Sequence, residues 1–319
     1  MTQVFQREQI VDAAQHLDAM GAMENAFVAY STGRTVIPPV GHLSFDSPPG
    51  DTCIKYGYER GADTFVVKIA SGFYDNPSQG LPSSTGIMLI FSQQTGVPQA
   101  VLLDGGYLTD LRTAAAGAVA AKHVGPAEIE HIGIVGTGTQ ARMQLLALRP
   151  ITSCREVSVW GRDEARRDDY CRDMAEQGFA VQACSLDELT ERSNLIVTTT
   201  PSQQPLLTAS RVRPGTHITA VGADGPGKQE LPAALFARAR QVVADSLTQC
   251  SEFGEISHAL RSGDLEASRV TELGSVIAAS EAARDAADIS IADLTGVAIQ
   301  DVAIATAIFG ALTQQPGDN

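Results

Sequence analysis

The run His131-Ile-Gly-Ile-Val-Gly136-Thr-Gly138-Thr-Gln-Ala141-Arg-Met-Gln-Leu-Leu has residue types suited to phosphate binding. Ile132, Ile134 and Val135 predict a short buried strand, and the apolar spacing after Thr139 predicts a helix. Between them, Gly136 allows a tight turn and Gly138 lets the backbone approach a pyrophosphate. Small Ala141 lets the helix pack closely on the strand. The helix start then offers free N–H groups and a partial positive charge to an anion. A glycine triplet in this strand–turn–helix frame is expected to hold a dinucleotide.

Three other residues carry charge where it can act, and each has two readings. Lys68 closes the apolar run Thr64 to Val67. It either lays its stem on a sheet with its ammonium in water, or it binds an anion. Arg112 opens a helix of very small residues, Thr113-Ala-Ala-Ala-Gly-Ala-Val-Ala-Ala-Lys. A cation there opposes the helix dipole, so it is either salt-bridged or a fork for a carboxylate. Asp224 follows a predicted strand at 216–221, within Asp-Gly-Pro-Gly. It either closes an Asx-turn or presents a carboxylate beyond a strand's carboxyl end, where doubly wound sheets bind ligands.

The elements around these residues fall into two patterns. Early in the chain, residues 8–29 have helical spacing. Strand-like runs follow at 52–58, 64–69, 86–92 and 99–103, with Pro- and Gly-rich stretches at 37–50 and 72–82. Runs without intervening helices predict an antiparallel sheet. After residue 118 the chain alternates. Strands are expected at 131–135, 156–160, 194–199, 216–221, 241–244 and 289–292, with helices at 140–148, 163–177, 186–191 and 231–237. That is a Rossmann-type doubly wound parallel sheet. An apolar helix at 302–312 is expected to return to the first domain, and the polar end 314–319 to fray. The expected division is residues 1–117 with 303–319 as an α+β substrate-binding and dimerisation domain, and 118–302 as a dinucleotide-binding domain.

Composition narrows the function classes. The 319 residues are 44% hydrophobic and 19% charged, as in an ordinary globular protein. A net charge of -14 argues against a nucleic-acid partner. No apolar run approaches a membrane span, and the polar start is unlike a signal peptide. The 5 cysteines are scattered without CxxC spacing, which is expected of reduced thiols in a cytoplasm. The 6 histidines do not cluster, so no metal site is expected.

Six blocks, in order over residues 60–305, resemble the ornithine cyclodeaminase/μ-crystallin family. They are Val67-Lys68 with Asn76-Pro77-x-x-Gly80-Leu81-Pro82, then Thr95-Gly96-x-Pro98, Arg112-Thr113-Ala114-Ala115, the glycine turn, Val221-Gly-Ala-Asp224-Gly-Pro-Gly-Lys228-Gln-Glu230-Leu, and Asp293-Leu-Thr-Gly296. The resemblance implies an NADH- or NADPH-dependent enzyme acting on α-imino or α-amino acids, and a homodimer joined through its N-terminal sheets. It implies that Lys68 and Arg112 hold the substrate carboxylate, that Asp224 is the acid/base residue at the reacting nitrogen, and that Thr295 lies near the substrate. Ser83, Arg112, Thr113, Gly136, Gly138, Thr139, Gln140, Arg162, Thr199, Val221 and Lys228 match positions near the cofactor.

Two departures refine the expectation. Thirteen residues before the matching lysine, where cyclising members carry a carboxylate for a distal amine, this chain has Lys55. A lysine there repels an ammonium and attracts a distal carboxylate, provided it does not face outward. The upstream arginine expected for the α-carboxylate is not plain either, since Val40-Gly41-His42 occupies that region. Both favour an imine with an acidic or small side chain, iminosuccinate being a candidate. At the second strand's tip, Trp160-Gly161-Arg162-Asp163 leaves cofactor choice open, because Arg162 suits NADP and Asp163 suits NAD. The leading expectation is an imine reductase that runs backward as an amino-acid dehydrogenase. A cyclodeaminase with tightly bound NAD and a non-catalytic μ-crystallin-like binder are the alternatives.

Overall fold

The computed structural model describes the chain except residues 74, 280–284, 286 and 315–319. The end expected to fray therefore lies, from residue 315 on, outside the described residues. The chain divides into two compact units, Met1–Arg112 together with the segment that begins at Val297, and Thr113–Gly296.

The first unit starts with β1 (Gln3–Gln6), α1 (Arg7–Ala14) and α2 (Ala19–Ser31). The periodicity predicts one helix here, but Asp18 divides it. Its carboxylate accepts from Gly21 N at 2.9 Å and so caps a second helix. There follow β2 (Thr35–Val36), β3 (Gly41–Asp46), β4 (Pro49–Glu59), β5 (Thr64–Gly72), β6 (Ser84–Ser92) and β7 (Pro98–Leu103), then the start of α3 (Tyr107–Val124), whose residues from Thr113 belong to the second unit. The sheet runs β1-β7-β6-β5-β4-β2, with β3 also on β4. Its pairings are antiparallel except that β1 lies parallel to β7, so the sheet is mixed. β1 has only four residues, too few to show a period. The turn of four residues between Glu59 and Thr64 sets the β4/β5 register and places Lys55 opposite Lys68.

The second unit alternates strands and helices. Its first half holds β8 (Ile132–Val135), α4 (Thr139–Ala147), β9 (Glu156–Trp160), α5 (Glu164–Glu176), β10 (Ala180–Ala183), α6 (Leu186–Arg192) and β11 (Leu195–Thr198). The second half holds β12 (His217–Ala220), α7 (Ala234–Arg238), β13 (Gln241–Ala244), α8 (Leu247–Glu252), α9 (Glu255–Ser262), β14 (Val270–Glu272), α10 (Leu273–Ala279) and β15 (Ser290–Asp293). All eight strands are parallel in the order β10-β9-β8-β11-β12-β15-β13-β14. Strand order reverses between β8 and β11, which opens a crevice at their carboxyl ends. Because helices flank the sheet, β8, β11, β12 and β15 are buried along their whole length, and β8 and β11 read as largely apolar runs, not alternations.

The last helix, α11 (Ala298–Gln314), packs on α2, β4 and β5 in the first unit. Met23, Phe27, Val66, Ile304 and Ile308 are among the residues it and its neighbours bury. Among the described residues, no helix is long and apolar enough to cross a membrane, and no group of three or more His, Cys, Asp or Glu could hold a metal ion.

Candidate active site

In the first unit, the β4/β5 pairing puts Lys55 and Lys68 on one face of the sheet, since residues directly opposite in an antiparallel pair share a face. Both are buried, at 9% and 2% exposure. The first turn of α11 brings Asp301 to them, with its carboxylate 2.7 Å from Lys68 Nζ and 3.0 Å from Arg112 Nε. Arg112 also donates from Nη1 to Gln300 Oε1 at 2.8 Å. Three cations therefore surround one carboxylate in a buried place.

The charge balance sets the protonation states. Burial drives the Lys68 ammonium down from 10.5 to about 7; Asp301 opposes this, and Arg112 and Lys55 add to it. Burial pushes the Asp301 carboxyl up, but Arg112, Lys68 and Lys55 outweigh it and hold the group below its ordinary value. An excess of buried positive charge is costly until an anion arrives. The arrangement suits a ligand with carboxylates.

In the second unit, the glycine turn has the form its residues predict. Gly136 has φ +124°, and a side chain there would meet Thr199 Oγ1 at 2.4 Å. Gly138 is the N-cap of α4 and has open space before it. A cavity of about 320 Å³ over the turn is lined by Thr137, Gly138, Thr139, Arg142, Arg166 and Asp169. Backbone donors, two arginines and open room at a helix start fit a dinucleotide's phosphates. Thr199 donates to Val135 O, which ties β11 to the end of β8 beneath the turn.

The loop after β12 carries Asp224 and Lys228, which form an ion pair at 2.6 Å. The Asp224 side chain is 54% exposed. Glu230 fixes this loop. Its buried carboxylate accepts from Gly222 N at 2.9 Å and from Thr200 N and Oγ1 at 2.6 and 2.7 Å. Glu255, at the start of α9, accepts from Glu230 N and Leu231 N. Burial raises Glu230 to about 7 and raises Glu255 well above the usual carboxylate range. Asp293 is raised likewise by burial and accepts from Ile256 N at 2.8 Å.

The structure thus groups Lys55, Lys68 and Arg112 in one unit, and Gly136, Gly138, Thr139 and Thr199 in the other. Gln140 and Thr113 meet through Gln144, whose amide donates to Thr113 O at 2.9 Å and to Gln140 Oε1 at 3.4 Å. Val221 is buried and donates its N–H to Thr198 O. Ser83 is exposed, its carbonyl accepting from Phe73 N. Arg162 is exposed at the β9 tip. Thr295 is buried; its hydroxyl donates to Asp245 at 3.1 Å and accepts from Gln249 at 3.0 Å. Sequence reasoning missed Asp301, Gln300 and Asp245 and gave Glu230 no role. A lone carboxylate in the first turn of an apolar helix was the available sign of Asp301.

Comparison with known proteins places this geometry. The family model of the ornithine cyclodeaminase/mu-crystallin family matches residues 1–315. An uncharacterized cyclodeaminase of Sinorhizobium fredii is 43% identical over 298 residues, covering 92% of this chain and 90% of that protein. A solved archaeal alanine dehydrogenase dimer with bound NAD is 34% identical with a TM-score of 0.90, covering 99% and 98% of the two chains. The iminosuccinate reductase of Paracoccus denitrificans in complex with NAD+ is 31% identical with a TM-score of 0.87, covering 98% and 97%.

Proposed function

The chain belongs to the ornithine cyclodeaminase/mu-crystallin family, and on that premise we propose that it reduces an α-imino acid to an L-amino acid with NADH or NADPH. Acidic or small side chains are favoured, and iminosuccinate, which gives aspartate, is the candidate substrate. The observation that carries this reading is the buried pair Lys55 and Lys68, joined by Arg112, with the Asp301 carboxylate on Lys68 and Arg112. Such a site repels the distal ammonium of ornithine and attracts two carboxylates. The Paracoccus neighbour is named for the same substrate.

Each residue has a task in this account. Arg112 and Lys68 bind the α-carboxylate, Arg112 as a planar fork and Lys68 as a point charge. Asp301 and Gln300 orient Arg112. Lys55 takes the distal carboxylate. In the second unit, the glycine turn with Thr139 and Thr199 holds the dinucleotide, and a bound reduced nicotinamide supplies the hydride. Asp224 holds the proton at the substrate nitrogen and stabilises its positive charge, with Lys228 as its partner in the free enzyme. Assembly as a homodimer through the N-terminal sheets accords with exposed Leu43, Phe45 and Tyr56 on β3 and β4 and with the dimeric alanine dehydrogenase neighbour.

The test is oxidation of NADH or NADPH with oxaloacetate, with and without ammonia, and with pyruvate in comparison. Ammonia-dependent turnover that forms aspartate is expected. Ammonia release from ornithine without added cofactor, with no turnover on either keto acid, would overturn the reading in favour of a cyclodeaminase.

A further inference from the structure

The tip of β9 carries a selection that neither the residue pattern nor the family decides. In a Rossmann sheet, a carboxylate at the end of the second strand holds the adenosine ribose hydroxyls, and an arginine there instead accepts an added phosphate. β9 ends at Trp160, and Gly161 follows. A Cβ at Gly161 would stand 2.7 Å from Thr137 Cγ2 in the glycine turn, so a side chain fits there only if Thr137 shifts. The first acidic residue beyond it, Asp163, is committed elsewhere. Its carboxylate accepts from Arg166 N at 2.9 Å and caps α5.

What surrounds the tip is basic. Arg162 follows Gly161 and is exposed, and Arg166, one helical turn on, lines the cavity over the glycine turn. The Arg167 stem lies 3.4 Å from the Cβ position at Gly161, and its Nε is buried with no hydrogen-bond partner. Two nearby carboxylates are paired with other arginines. Asp173 takes Arg142 at 2.5 Å, and Asp169, on the cavity wall, takes Arg172 at 2.5 Å. Arg162 and Arg166 thus offer cations to a phosphate, while Asp163, the acidic residue nearest the tip, caps α5.

We infer that the chain selects NADPH over NADH, with Arg162 and Arg166 holding the phosphate on the adenosine ribose. The inference rests on the dinucleotide reading of the glycine turn. It sets this chain apart from its solved neighbours with bound NAD.

Trp160 is the only tryptophan and adjoins the site, so its emission reports binding without turnover. Titrations with NADPH and NADH, and with the fragments 2′,5′-ADP and 5′-AMP, give the affinities directly. The phosphate-bearing member of each pair is expected to bind about tenfold or more tightly, as charge-assisted hydrogen bonds allow. This margin should shrink with salt. The double variant Arg162→Ala with Arg166→Ala removes two exposed side chains and should weaken NADPH more than NADH and so abolish the margin, with the melting temperature near that of the native chain. Equal affinities, or tighter NADH, would overturn the inference and leave the dinucleotide reading intact. Failure of every nucleotide to bind would overturn both.

Discussion

Lys55 and Lys68 are register partners on neighbouring antiparallel strands, and both are buried. Like charges directly opposite one another destabilise a sheet, and burial deepens that cost. Asp301, 2.7 Å from Lys68, offsets part of that cost, and on the proposed function a substrate carboxylate offsets the rest. Specificity for an acidic side chain should therefore reside in Lys55. Replacing it by glutamate should lower kcat/KM for oxaloacetate plus ammonia, relative to pyruvate plus ammonia, by about tenfold or more, the ratio that about 1.4 kcal/mol carries. An unchanged ratio would remove Lys55 from the substrate site.

Asp301 holds the cations together. Asp301→Asn keeps the shape but removes the carboxylate that pairs with buried Lys68 and Arg112, which should cost roughly 3–5 kcal/mol of stability. Millimolar malonate, a small dicarboxylate, should restore part of the melting temperature in the variant. Melting like that of the native chain would contradict the account.

Burial sets the Lys68 ammonium at about 7 in the free protein. A bound carboxylate favours the charged form and so takes up a proton above that pH. Dicarboxylate affinity should therefore fall as pH rises above about 7, approaching tenfold per unit. Lys68→Arg keeps its charge throughout and should flatten the fall. Parallel pH profiles for the two proteins would place the titration elsewhere.

How much of this was legible in sequence depended on how local the signal is. The turn from β8 through Gly136 into α4 lies within one short segment, so strand, glycines and helix were all readable. Lys55 could be counted from Lys68, but its facing could not, because the β4/β5 register depends on the turn that follows Glu59. Arg112 and Asp301 are 189 residues apart, and nothing near either one announces the other. Glu230 and Glu255 drew no role from the sequence, yet both carboxylates serve backbone donors far along the chain. The split at Asp18 was missed because apolar spacing continues across it, although aspartate is a favoured N-cap.

Glu230 gives the second unit a pH signature of its own. Its folded value of about 7 lies above the ordinary 4.5, so between these the folded chain holds a proton that the unfolded chain has released. Its contribution to stability is full below about 4.5 and is lost as pH rises through about 7, by roughly 3 kcal/mol at most. Glu255 and Asp293 are raised too and act in the same direction. Unfolding free energy should fall from pH 5 to pH 8, and Glu230→Gln should reduce the slope. An equal slope in the variant would show that Glu230 is ionised throughout.

The central claim is that hydride reaches the α-carbon of an imino acid, and isotopic tracing tests it most directly. Oxaloacetate and ammonia would be incubated with NADPH, and separately NADH, each dideuterated at nicotinamide C4, and the amino acid analysed by mass spectrometry and NMR. The account predicts L-aspartate with one deuterium at the α-carbon, formed in proportion to cofactor consumed and sharply reduced in Asp224→Asn. Aspartate without the label, or no aspartate while ornithine is converted to proline without added cofactor, would contradict it.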